Sequence, residues 1–220
     1  MSVALTAVEK SILDGFIARR PDLTGCVDGI LTLHARLIAM YDAGGKLLLC
    51  GNGGSNADAM HIAGELCKSF ERKRTLEEAF AARLKTLPCG DELAAHLEAG
   101  LAAIALGFNG SLKTAVENDI QLRDIAFAQE TIALGKREDV IVGISTSGNA
   151  TNCLMAMSVL KALGGTVVSL TGPGGGKMAA MADIAIKAPG DSVKVIQEAH
   201  IAIYHTFCAM IEAHYFPEPR

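Results

Sequence analysis

His61 and Glu65 stand four positions apart at the end of the stretch GNGGSNADAMHIAGE, Gly51 to Glu65. On a helix that spacing puts an imidazole and a carboxylate on one face, within reach of a common substrate or cation. Further along, Gln197 and His205 are eight apart, about two helical turns, in a run from Val193 to His214. Groups of these types move protons or hold metal ions. Taken alone, an i,i+4 pair is also an ordinary solvated contact. His200 and His214 suit packing or surface positions equally well and receive no role.

Two glycine- and hydroxyl-rich turns accompany these residues, GNGGSN at 51–56 and STSGN at 145–149, each after an apolar run and before a helical pattern. In open parallel sheets the ligand lies beyond the carboxyl ends of the strands, where helix N-termini present free N–H groups. Gly51, Gly53 and Gly54 let the backbone come close to a ligand, and Ser55, Ser145, Thr146 and Ser147 supply hydroxyls. A phosphate monoester fits that chemistry. Tight βα turns with serine caps would account for either loop singly. GNGGSN lacks the third glycine of a dinucleotide fingerprint. TGPGGGKM fails as a nucleotide-binding P-loop, because Thr171 replaces its first glycine and Met178 its hydroxyl residue.

The elements that must carry these groups follow from periodicity. Residues 3–19 and 23–43 have apolar positions at helical spacing, and Gly44-Gly45 ends the second. Five short apolar runs follow, at 46–50, 101–106, 140–144, 166–170 and 183–188, separated by helical segments. Apolar without alternation, they read as strands covered on both faces. Repeated strand–crossover–strand units imply an α/β three-layer sandwich, a mostly parallel five-stranded sheet flanked by helices. Two N-terminal helices, within residues 1–45, precede it. Residues 74–100, broken at Pro88 to Gly90, read as a helical insertion within a single domain spanning 1–220.

Composition excludes several classes. The chain has 220 residues, 50% of them hydrophobic, and a formal charge of −4, with no long basic run, which argues against a direct grip on nucleic acid. Six singly spread cysteines form no C-x-x-C pair and read as reduced core residues. Glu9, Lys10 and Asp14 interrupt any N-terminal signal sequence, and no 18 uninterrupted apolar residues occur. The expectation is a cytoplasmic protein without membrane contact.

The combination GNGGS-x5-H-x3-E, ISTSGN, LTG-x-x-GGK-M and IQE-x-H-x4-H resembles the sugar isomerase (SIS) domain family and, within it, the phosphoheptose isomerases. The resemblance runs from about Leu47 to Cys208, outside 74–100. It implies aldose–ketose isomerisation of a phosphorylated sugar, sedoheptulose 7-phosphate to D-glycero-D-manno-heptose 7-phosphate, through a cis-enediol on the way to lipopolysaccharide heptose. By that likeness Glu65 is the base and His205 the partner acid or base, and His61, Glu65, Gln197 and His205 bind zinc. Substrate contacts fall to Asn52, Gly53, Ser55, Asp119, Ser145, Thr146, Ser147 and Gln197. Family members are homotetramers with shared sites.

This sequence departs from the pattern at Ala150, where a serine is usual, at Lys194, where an aspartate is usual, and over 74–100. Two non-enzymatic alternatives share the likeness: a binding protein similar to the DnaA initiator-associating protein, which lacks the glutamate and the second histidine of the pair, and a sugar-phosphate sensor.

Overall fold

The computed structural model describes residues 4–217. The chain begins with α1 (Ala7–Arg19), a 3-10 turn (Pro21–Cys26) and α2 (Val27–Asp42). Thr6 starts α1 through a reciprocal capping box with Glu9, which satisfies two otherwise free N–H groups. The first helix thus begins at Ala7, and residue 3 of the expected span lies outside the described residues. Pro21 fixes the break between the two helices, which makes the second start at Val27 rather than 23.

There follow β1 (Leu47–Cys50), α3 (Gly54–Cys67), α4 (Glu78–Leu84), α5 (Gly90–His96), β2 (Ala103–Ala105), α6 (Gly110–Asp119), α7 (Ala126–Leu134), β3 (Val140–Ser145), α8 (Thr151–Ala162), β4 (Thr166–Thr171), α9 (Gly176–Met181), β5 (Ile184–Lys187) and α10 (Val193–Tyr215). All five expected strands form, in the order β2-β1-β3-β4-β5, and the sheet is wholly parallel. The strand order reverses direction between β1 and β3, so a crevice opens beyond their carboxyl ends.

Side-chain alternation divides the interior into two layers. Leu47, Leu49, Val140 and Val142 pack with α1, α2, α3 and α10 on one face, while Leu48, Cys50, Ile141 and Val167 pack with α7, α8 and α9 on the other. The outer strand β5 departs from the expected pattern. Ala185 and Lys187 are exposed between buried neighbours, because at that sheet edge only one face is covered. The cysteine expectation also needs correcting: Cys67 and Cys89 are exposed, and only Cys26, Cys50, Cys153 and Cys208 are buried. Residues 21–42 are long and apolar enough to cross a membrane by composition, but α2 lays Ile30, Leu33 and Leu37 into the core.

One buried ion pair joins the two helices that matter most for function. Arg74 Nε donates to Glu212 Oε1 on α10 at 2.7 Å, and both side chains are fully buried. The same guanidinium donates to the Leu66 and Glu65 carbonyls at the end of α3, at 2.5 and 2.7 Å. Glu212 accepts in addition from the Phe70 and Glu71 backbone N–H groups, both at 2.7 Å. Each guanidinium nitrogen and both carboxylate oxygens thus have a partner, as a buried charge pair requires.

Replacing Arg74 by alanine leaves Glu212 buried without its cation, so Arg74→Ala is expected to cost about 3–5 kcal/mol. For a chain of this size that corresponds to a fall in Tm of roughly 6–20 °C, read by thermal melting. A shift below about 2 °C would contradict the assignment.

Candidate active site

The first predicted loop leaves β1 at Gly51 and enters α3 at Gly54, with Gly53 at φ 55°, a left-handed conformation that suits glycine. The Ser55 side chain is buried at the opening turn of α3. The second loop leaves β3 at Ser145. The Ser145 and Ser147 hydroxyls lie 3.4 Å apart, and each accepts a backbone N–H, from Gly148 and Asn149, both at 3.2 Å. Thr146 holds the third loop through its carbonyl, which accepts from Gly172 N–H at 3.0 Å. The third loop also braces the second, since Asn149 Oδ1 accepts from Lys177 N–H at 3.1 Å. Asn52 and Asn152 exchange two amide hydrogen bonds of 2.8 Å, which bridge the crevice between β1 and β3. Asn152 carries no motif signal, and only its partner across the crevice reveals it.

Along α3 the second group of residues assembles. His61 Nε2 lies 2.9 Å from Glu65 Oε1, as the spacing predicts. The His205 ring meets His61 edge-on at 5.0 Å between centroids, and ligand atoms of His61, Glu65 and His205 all lie within 4.8 Å of one another. His205 Nε2 is buried and has no hydrogen-bond partner. Burial depresses the His205 pKa, the neighbouring His61 pushes it further down, and Glu65 opposes both. Phe70 tilts against the same ring at 5.5 Å.

A cation set between these atoms would take up the orphaned nitrogen, and two imidazoles with one carboxylate are an accepted donor set for zinc with one position open. The residues present therefore fit a metal. Gln197, the expected fourth ligand, lies eight residues before His205 on α10. Its amide lies against Gly54, where a Cβ would collide with it, at the opening turn of α3.

Asp119 also stands apart. It ends α6, is exposed, and accepts from the Asn118 side-chain amide at 2.8 Å. Among the described residues no hydrogen bond or ion pair ties it to the other predicted site residues, because α6 sits beside α7 and away from α3 and α10.

Two residues outside the predicted set complete the cluster. Tyr204 OH is 2.8 Å from His61 Nδ1, and its ring contacts both His61 and His205. Asp58, one turn before His61 on α3, is buried, and its Oδ2 has no hydrogen-bond partner. Burial raises the Asp58 pKa against the opposing effects of Tyr204 and His61.

A three-layer parallel α/β sandwich with a hydroxyl-rich crevice and a histidine–glutamate cluster defines a SIS-type sugar-isomerase domain, and a SIS domain model matches residues 123–215. The chain is 39% identical over 179 residues to a phosphoheptose isomerase of Helicobacter pylori, covering 81% of this chain and 80% of that one. It is 37% identical over 190 residues to that of Rhodospirillum rubrum, covering 86% and 88%. The solved phosphoheptose isomerase of Neisseria gonorrhoeae superposes with TM-score 0.68 at 32% identity, over 92% of this chain and 96% of that one. The chain belongs to the phosphoheptose isomerase family.

The titration of the imidazoles gives a pH dependence. His34, His200 and His205 all have pKa values lowered by burial. The unfolded chain, with imidazoles near about 6.5, therefore binds protons that the folded state refuses. Their contribution to stability is complete above about pH 6.5 and is lost as pH falls through the lower folded values. The urea midpoint is expected to fall between pH 7.5 and 5.5, and an unchanged midpoint would contradict these burials.

Proposed function

We propose that the chain interconverts an aldose and a ketose phosphate, with sedoheptulose 7-phosphate to D-glycero-D-manno-heptose 7-phosphate as its reaction, the step that leads to lipopolysaccharide heptose. The observation that carries this reading is the juxtaposition of Glu65, His61 and His205 on α3 and α10, with His205 Nε2 left unpartnered. A binding protein or sensor has no need of an acid–base pair aimed into one pocket.

The isomerisation needs a base at carbon and a proton carrier at oxygen. Glu65, its carboxylate held on a fixed helix end, removes the proton from the carbon beside the carbonyl and returns it to the neighbouring carbon. His205, held neutral by burial, moves the proton between the two oxygens of the cis-enediol. His61, Glu65 and His205 would hold a zinc ion, which would supply Lewis-acid polarisation of the carbonyl. Ser55, Ser145, Thr146 and Ser147 take the phosphate at the helix N-termini. Asn52, Gly53 and Gln197 line that end for the sugar, and Asp119 contributes through a neighbouring subunit of a homotetramer. Helix rise puts His61 roughly 10 Å beyond Gly54. A substrate touching both ends therefore needs an extended chain, which favours a heptose over a triose.

We read 1–220 as one domain, 74–100 as an insertion in it, and the protein as soluble and cytoplasmic. Ala150 opens α8 without a side-chain cap. A hydroxyl there would add a bond to a charged oxygen worth about 1.5–3 kcal/mol, so Ala150→Ser is expected to lower KM roughly ten- to hundred-fold. An unchanged KM would place the phosphate elsewhere.

Glu65→Gln is expected to abolish turnover while sugar-phosphate binding persists, and His205→Ala to lower both turnover and zinc content. Solvent deuterium entering the substrate during wild-type turnover is the direct assay. Its absence at saturating sugar phosphate would remove the isomerase reading.

A further inference from the structure

We propose that Glu9, His34 and His214 form a second zinc site, remote from the reaction, which clamps the first helix to α2 and α10.

Each ligand comes from a different helix. Glu9 lies in the first turn of α1, His34 in the middle of α2 and His214 in the last turn of α10. Glu9 Oε1 is 3.1 Å from His34 Nε2 and 3.0 Å from His214 Nδ1. The two rings stand at 84° with centroids 6.1 Å apart, so they reach that oxygen from different sides. Ligand atoms of all three residues fall within 4.8 Å of one another. Tetrahedral zinc, with bonds of about 2.0–2.1 Å, holds neighbouring ligand atoms roughly 3.3 Å apart. The Glu9 contacts therefore need open by only about 0.2–0.3 Å to admit the ion.

Charge points the same way. The Glu9 and His34 side chains are fully buried, and Glu9 Oε2 accepts from the Thr6 N–H at 2.6 Å. Among the described residues no lysine or arginine pairs with Glu9, whose ion-pair partners are the two imidazoles alone. Neutral imidazoles leave a full negative charge in the interior, where carboxylates are otherwise paired with a cation or bound to a metal. Two imidazoles and one carboxylate suit zinc, whereas magnesium and calcium take oxygen ligands. Access exists from outside: His214 is half-buried, and a cavity of about 910 Å³ is lined by His34 and the exposed Asp42. The cluster shares no residue with His61, Glu65 and His205.

The test counts zinc. His34→Gln and His214→Gln each keep an amide that can donate to Glu9 but ligates zinc poorly, so a purely hydrogen-bonded cluster would survive them. After zinc loading and passage over a chelating resin, the wild type is expected to retain about one zinc per chain more than either variant, by elemental analysis. That difference is the same whether or not the Glu65 cluster holds an ion, and loss of the latter's zinc is read separately in His205→Ala. In His205→Ala, zinc at a hundredfold excess over its Kd is expected to raise Tm by roughly 5–11 °C, and in His205→Ala/His214→Gln not to raise it. Should His34→Gln fail to fold, His214→Gln decides, since its side chain is half-buried at a helix end. Equal zinc content in the wild type and His214→Gln, or a Tm of His205→Ala that zinc leaves unchanged, would overturn the proposal. The Glu9 charge would then be balanced by a proton on an imidazole.

Discussion

The buried pair of Arg74 and Glu212 is the constraint on which the site depends. The end of a helix leaves carbonyls without intrahelical partners, and α3 ends where Glu65 must be held. Arg74 takes two of those carbonyls and passes the contact to Glu212 on α10, the helix that carries Tyr204 and His205. The distance between base and proton carrier is therefore set by an interaction that touches neither reacting group. A partner for every nitrogen and carboxylate oxygen keeps that pair from being a buried liability.

From this follows a division of labour along α3. Its opening turn lies at the sheet's switch point, where Asn52 and Asn152 bridge the crevice and the serine loop stands opposite. Two turns further on, the helix presents His61 and Glu65 to α10. Parallel packing of α3 and α10 repeats the pattern, with Gln197 against Gly54 at one end and His205 against His61 at the other. Anion-binding backbone groups and proton-transfer side chains are thus held on the same two rods, one end for each task.

Much of this was legible in the chain. Strands were marked by apolar runs such as KLLLC and VIVGI, because central strands of a parallel sheet are buried on both faces. The edge strand at Ile184–Lys187 broke that rule for the same physical reason, having only one covered face. His61 and Glu65 were readable because their contact is local to one helix. Tyr204, Arg74 and Asn152 were not, since each acts through a partner far away in sequence, as in the contact of Tyr204 with His61.

The central claim is that Glu65 and His205 work on one substrate in one pocket, and a double-mutant cycle on kcat tests it most directly. If the two act as a unit, Glu65→Gln combined with His205→Ala falls no lower than the worse single variant, within about threefold. If the two losses instead multiply in full, the groups act independently and the shared pocket is contradicted.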